Sequence, residues 1–161
     1  CSTVNSYNGL VPRVGGFEGG TVTWAPTNIT YGHNNRSAQF RLPQNRYCIE
    51  NRAADMTMNV YLAFSMTLAA AVEGIKMKIH PGKPTDQDLY NMTDKEFKKL
   101  GIKRLPRNLL MALEALKNDK LSDEVIGTVM KNSLLAYKND EWERYHQAVT
   151  DWEVKEYLRL Y

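Results

Sequence analysis

The chain has 161 residues, is 43% hydrophobic and 24% charged, and carries a formal net charge of +3. That size suits one ordinary soluble domain, and a charge so small and evenly spread leaves no footprint for nucleic acid. Two cysteines, Cys1 and Cys48, make no disulfide framework, so a reducing cytoplasm is the default setting.

The chain opens at Cys1 with neither a methionine nor a signal-peptide pattern, and it reads as a piece of a longer protein. Residues 1–20 are loop-like. Gly15, Gly16, Gly19 and Gly20 bracket Phe17-Glu18, which predicts a flexible flap. Thr21 to Trp24 and Thr27 to Tyr31 are β-rich, split by Pro26, which would interrupt a central strand. Ser37 to Leu42 alternates, with Ala38, Phe40 and Leu42 on one face and Gln39 and Arg41 on the other. Tyr47 to Arg52 is a further strand, placing Cys48, Glu50 and Arg52 on one face.

Apolar residues then switch to helical spacing. Phe64, Leu68, Ala71, Val72, Ile75 and Ile79 predict a helix from Met58 to Ile79, ended by Pro81-Gly82. The uncharged run from Met56 to Val72 is short for a membrane span and contains Thr57, Asn59, Ser65 and Thr67, so a buried helix is expected and no membrane. Thr93-Asp94-Lys95-Glu96 resembles a capping box. Pro106 can open a helix through Leu116, and Ser122 can cap one through Met130. A last long helix should carry Leu135, Trp142, Tyr145, Val149 and Trp152 as one packing stripe. Strands first and helices after predict an α+β fold. Residues 1–57 would hold the flap and site strands, and residues 58–161 a helical region.

The chemistry concentrates between Asn35 and Leu62. Arg36, Arg41 and Arg52 surround the carboxylate of Glu50. Guanidinium forks suit phosphate or carboxylate oxygens, and in phosphoryl transfer positioning and charge neutralisation do most of the catalysis. A carboxylate among such cations fits a hard divalent metal. The same set also fits a group of surface ion pairs, each worth roughly 0–1 kcal/mol. The sequence contains neither a glycine-rich phosphate loop nor cysteines and histidines at zinc spacing.

Several short segments stand in order along the chain: Thr3-Val4-Asn5-Ser6-Tyr7, Asn35-Arg36-Ser37-Ala38 with Arg41-Leu42-Pro43, Ile49-Glu50-Asn51-Arg52, and Asn59-Val60-Tyr61-Leu62. Gly74 to Gly82 and Asp88-Leu89-Tyr90 continue the series. Together they resemble the C-terminal part of the catalytic domain of the glutamine synthetase family, over nearly the whole chain. That resemblance implies antiparallel site strands. It also implies ATP and Mg2+ (or Mn2+), and transfer of a phosphoryl group to the γ-carboxylate of glutamate before attack by ammonia or an amine. It implies that Arg36 stabilises the phosphoryl group in transfer, Arg41 holds ATP phosphates, Glu50 ligates a metal and Arg52 binds the substrate carboxylate. The helix from Met58 becomes core support. A homo-oligomer of stacked rings, a dodecamer, is implied too, with the last helix as the candidate for inter-subunit packing.

The departures bear on substrate. Where ammonia-using relatives have Lys-Arg after Asn-Ser-Tyr, this chain has Asn8-Gly9. Either another residue such as Arg13 makes that acid contact, or the acid differs. Cys48 stands where an arginine is common, with Arg46 four residues before Glu50. Trp24 stands where those relatives carry a glutamate that handles ammonium; Glu18 is the flap residue able to take over that role. An indole can pack on alkyl or aryl groups and hold an ammonium by its face, although a plain packing role fits it equally. Trp24-Ala25-Pro26, Leu105 to Leu109 and Asp151-Trp152-Glu153 are similar to the subgroup of γ-glutamylmethylamide synthetases and related amine ligases. The expected activity is therefore γ-glutamyl amide formation from an alkyl- or arylamine. An ammonia-using enzyme and a non-catalytic homologue remain the alternatives. Tyr90 aligns with the tyrosine adenylylated in some bacterial glutamine synthetases, but its flanks Asn91-Met92-Thr93 differ. His33 reads as a solvated loop residue, and His80 as structural at a helix end.

Overall fold

In a computed structural model, residues 25–55 and 57–160 are described. The flap, Gly9, Arg13, Glu18 and Trp24 lie outside the described residues. The architecture is α+β, as the order of elements predicts. Strands β1 (Asn28–His33), β2 (Ala38–Leu42) and β3 (Glu50–Asn51) are followed by helix α1 (Val60–Lys76) and helix α2 (Asp94–Leu100). The short strand β4 (Lys103–Arg104) comes from the stretch read as helical, before α3 (Leu109–Asn118), α4 (Lys120–Ile126), α5 (Thr128–Gln147) and α6 (Asp151–Tyr157).

The sheet order is β3-β2-β1-β4. It is mixed, where antiparallel strands were expected. β2 pairs antiparallel with β3 and β1 antiparallel with β4, but β1 and β2 run parallel, with Tyr31 opposite Phe40 and Gly32 opposite Arg41. A parallel pair ordinarily needs a crossover of a dozen or more residues. Here residues 34–37 suffice for two short strands. Asn34 takes a left-handed φ of 53°, which asparagine tolerates better than most side chains, and its N–H donates to the Leu42 carbonyl at 2.9 Å.

The core lies where the sheet meets the segment running from residue 85 to α3. Ala25, Ala38, Leu89, Phe97, Leu105, Leu109 and Leu113 are buried there. Leu105 N–H extends the sheet by donating to the Thr27 carbonyl at 2.9 Å.

Helix boundaries follow side-chain caps. α1 starts two residues after Met58 because the Asn59 carboxamide accepts from the N–H groups of Tyr61 and Leu62. It stops at Lys76, with Lys78 left-handed at φ 52°. Thr93 and Glu96 form the expected capping box. α3 starts at Leu109 under an Asn108 cap, later than Pro106 suggests. α4 is capped by Asp119, and Ser122 is buried inside it rather than capping it. Gly127, at φ 78°, ends α4 before Met130.

One packing expectation is corrected. The α1 stripe, expected as core support, lies on the outer surface of residues 25–160, where Phe64 is 64% and Ile75 77% exposed. Periodicity identifies an apolar face but not what covers it. The single last helix is two: α5 ends before Ala148, and a Thr150–Glu153 capping box starts α6, so the stripe is split and Trp152 is exposed. Among the described residues, no helix is long and apolar enough to cross a membrane.

Candidate active site

Sheet register gathers the predicted cluster. Arg41 and Glu50 are directly opposed on β2 and β3, and the Arg41 guanidinium donates to Glu50 Oε2 at 2.9 Å. Pairing continues one residue beyond β3, where Arg52 N–H donates to the Gln39 carbonyl at 2.8 Å. Side chains alternate along strands, so Gln39, Arg41, Glu50 and Arg52 share one face. Arg52 turns its Nε to the carbonyl of Arg36 at 3.0 Å. All four predicted residues in the described part, Arg36, Arg41, Glu50 and Arg52, thus come together.

Glu50 is held by two arginines. Its other oxygen accepts from Arg46, the residue four positions earlier. The Arg41 hydrogen bond above all holds its carboxyl below the usual carboxylate range; burial pushes the other way, and Arg46 adds to the lowering. Arg41 is well buried, with 16% of its side chain exposed. One terminal nitrogen serves Glu50 and the other donates to Asn34 Oδ1. Among the described residues its Nε is buried without a hydrogen-bond partner, as are Thr30 Oγ1 and Gln39 Oε1. Thr30 is two residues from Gly32, the residue opposite Arg41, so these polar atoms lie on the same face. Buried polar groups normally find partners, and this face therefore has capacity for a polar ligand or ordered water. Burial lowers the basicity of the half-buried Arg52, which remains a cation.

Sequence reasoning missed the clasp that aims Arg36. The Asn35 amide donates to the carbonyls of Thr85 at 2.7 Å and Gln87 at 2.9 Å. Its oxygen accepts from the N–H of Ser37 at 2.9 Å and from its hydroxyl at 2.7 Å. Ser37 Oγ in turn accepts from Leu89 N–H at 3.1 Å. Arg36 therefore projects between two residues pinned to the 85–89 segment. That segment presses so closely on β1 that a Cβ on Gly32 would sit 2.3 Å from the Thr85 carbonyl oxygen. His33, read as solvated, is exposed but tethered: its N–H and Nδ1 both meet the Asp86 carboxylate. His80 accepts from Gly82 N–H through Nδ1, beyond the end of α1.

Among the described residues no group of three or more His, Cys, Asp or Glu side chains converges on a metal position. Glu50 fits a divalent cation as one contributor to a ligand set. Its side chain is 22% exposed, and Arg46, at 60%, can leave it without losing a buried contact. Cys48 is a free, exposed cysteine.

These elements form an α+β unit that carries an arginine–carboxylate cluster on one sheet face. The family described as glutamine synthetase, catalytic domain, matches residues 1–157. The chain belongs to the glutamine synthetase family. It is 39% identical over 98% of its length to a glutamine synthetase of Methanococcus maripaludis, covering 34% of that protein. It is 41% identical over its full length to a glutamate–methylamine ligase of Methyloversatilis universalis, covering 35% of it. A solved structure described as "GmaS/ADP complex-Conformation 1" superposes with a TM-score of 0.73 at 34% identity, over 88% of this chain and 31% of that one. The chain thus spans about a third of the length of the relatives it matches.

Proposed function

We propose that the whole polypeptide is an ATP-dependent carboxylate–amine ligase that joins glutamate to an alkyl- or arylamine through γ-glutamyl phosphate. The observation that carries this reading is the single sheet face on which Arg41, Glu50 and Arg52 meet beside Arg36. Three guanidinium groups next to one carboxylate suit an anionic donor and an anionic acceptor brought together. Arg36 and Arg41 neutralise phosphate oxygens, Arg36 at the group in transfer and Arg41, fixed by Glu50 and Asn34, at the donor. Arg52 holds the glutamate carboxylate. Its tie to the Arg36 backbone keeps the acid and the phosphoryl group in register.

Glu50 would hold one divalent ion, Mg2+ or Mn2+, which when bound neutralises charge on the phosphates. In this reading Trp24 packs on the amine and Glu18 takes its proton. The likeness to a glutamate–methylamine ligase supports the amine. The equal likeness to archaeal glutamine synthetases favours ammonia as the second reading. The oligomer is proposed to be a dodecamer acting in the cytoplasm. The test is product analysis of the full-length protein with ATP, glutamate and methylamine. One γ-glutamyl amide per ADP and phosphate is expected; ATP consumption without amide would overturn the proposal.

A further inference from the structure

The carboxylate of Glu50 gives its oxygens to two arginines in very different settings. Oε2 is held by Arg41, which is well buried and is fixed at its other terminal nitrogen by Asn34. Oε1 is held by Arg46, whose side chain lies mostly in water. Among the described residues the open side of this carboxylate is therefore Oε1, and Arg46 stands across it.

The backbone brings Arg46 there. Residues four apart on an extended strand are separated by about 13 Å, which would leave Arg46 well along the strand from Glu50. Instead, Cys48 N–H donates to the Arg46 carbonyl at 3.1 Å. This closes a three-residue turn of the kind found at strand ends, and it folds Arg46 back over the start of β3. Cys48, closer to Glu50 in sequence, is uncharged in its thiol form and exposed. The cation beside Oε1 is thus supplied by the turn and not by strand alternation.

A guanidinium and a hard cation seek the same carboxylate lone pairs. Arg46 occupies Oε1 and also adds a positive charge next to any cation bound at Glu50. An ion pair this exposed is weak enough for a divalent ion to displace, yet strong enough to weaken that ion's binding severalfold. Arg41 is not exchangeable in the same way, because it is buried and serves Asn34 as well.

We propose that Arg46 is an affinity-setting counter-ion that competes with a divalent cation for Glu50 Oε1, so that cation binding is weaker than Glu50 would otherwise allow. This rests on Glu50 as a metal ligand in the ligase reading.

The test is Mn2+ binding to the full-length protein without nucleotide or substrate, read from the electron paramagnetic resonance signal of free Mn2+. Arg46→Gln should bind Mn2+ about three- to fivefold more tightly than wild type, a gain that damage to the loop would not produce. Arg46→Lys keeps the charge and should stay close to wild type. Unchanged or weaker binding in Arg46→Gln would overturn the proposal, and so would an equal gain in Arg46→Lys. Glu50→Gln separates this from the reading beneath it. If Glu50→Gln binds Mn2+ as wild type does, Glu50 is no ligand and the metal reading falls, taking the proposal with it. If Glu50→Gln loses Mn2+ while Arg46→Gln matches wild type, only the role of Arg46 falls.

Discussion

Replacing Asn35 with alanine should loosen the loop that aims Arg36 without touching any charged group. The substitution removes four hydrogen bonds: to the carbonyls of Thr85 and Gln87, and from the N–H and hydroxyl of Ser37. Three of them are part-buried and the one to Gln87 is exposed. At about 1 kcal/mol for each part-buried bond and less for the exposed one, the loss is about 3 kcal/mol. Local opening of the 85–89 clasp should then be roughly 100-fold more frequent, since each 1.4 kcal/mol is about a factor of ten. Hydrogen–deuterium exchange at the Thr85 and Leu89 amides reads this directly, because Thr85 N–H donates to Tyr31 and Leu89 N–H to Ser37. Turnover should fall about 10- to 100-fold as Arg36 loses its aim, a displacement of about 1 Å being enough for such a loss. Asn35→Asp separates the two halves, since it keeps the acceptor for Ser37 but puts a carboxylate against the Thr85 and Gln87 carbonyls. Exchange within threefold of wild type in Asn35→Ala would refute the clasp as the support of Arg36.

Gly32→Ala would place a methyl group 2.3 Å from the Thr85 carbonyl oxygen and 2.9 Å from Asn35 Cβ. Backbone on both sides must shift, so a loss of about 1–3 kcal/mol is expected in chemical denaturation; wild-type stability would show that the 85–89 segment yields freely. Glu50→Gln should raise the Mg2+ concentration needed for half-activation at least about tenfold, by analogy with losses at metal-site ligands and their supports, and an unchanged requirement would remove Glu50 from the metal site. The lowered carboxyl of Glu50 gives a sign for pH dependence. Its stabilisation is complete above its ordinary value of 4.5 and is lost as pH falls through the lowered one. Glu50→Gln should therefore lose stability at neutral pH and show a shallower further loss on the acid side; parallel wild-type and variant curves in thermal denaturation would contradict this.

The site was legible in the sequence because strand alternation and motif order both act locally. Glu50 and Arg52 are two apart on one strand, and Arg41 is on the polar side of an alternating one, so their meeting required only the right register. Arg46 was within reach of Glu50 by spacing and does bind it. Strand direction was less accessible. A period of two encodes which face is buried and not which way the neighbour runs, so the parallel β1–β2 pair was missed. The Asn35–Ser37 clasp joins residues about 50 positions apart through backbone carbonyls, which carry no sequence signature. Helix ends failed for a different reason. Asp119 and Ser122 are both good caps three residues apart, and the earlier one captures the end. Gly127 and the Thr150–Glu153 box were visible stop and start signals, overridden in the reading by the longer apolar spacing.

The central claim is that this site joins an amine to glutamate at the expense of ATP. The most direct measurement is coupled ADP release by the full-length protein, with ammonia, methylamine, ethylamine and aniline compared at equal concentration. The account predicts that at least one organic amine supports a higher kcat/KM than ammonia and yields the matching γ-glutamyl amide. Turnover with ammonia alone would contradict it and assign Trp24 to packing.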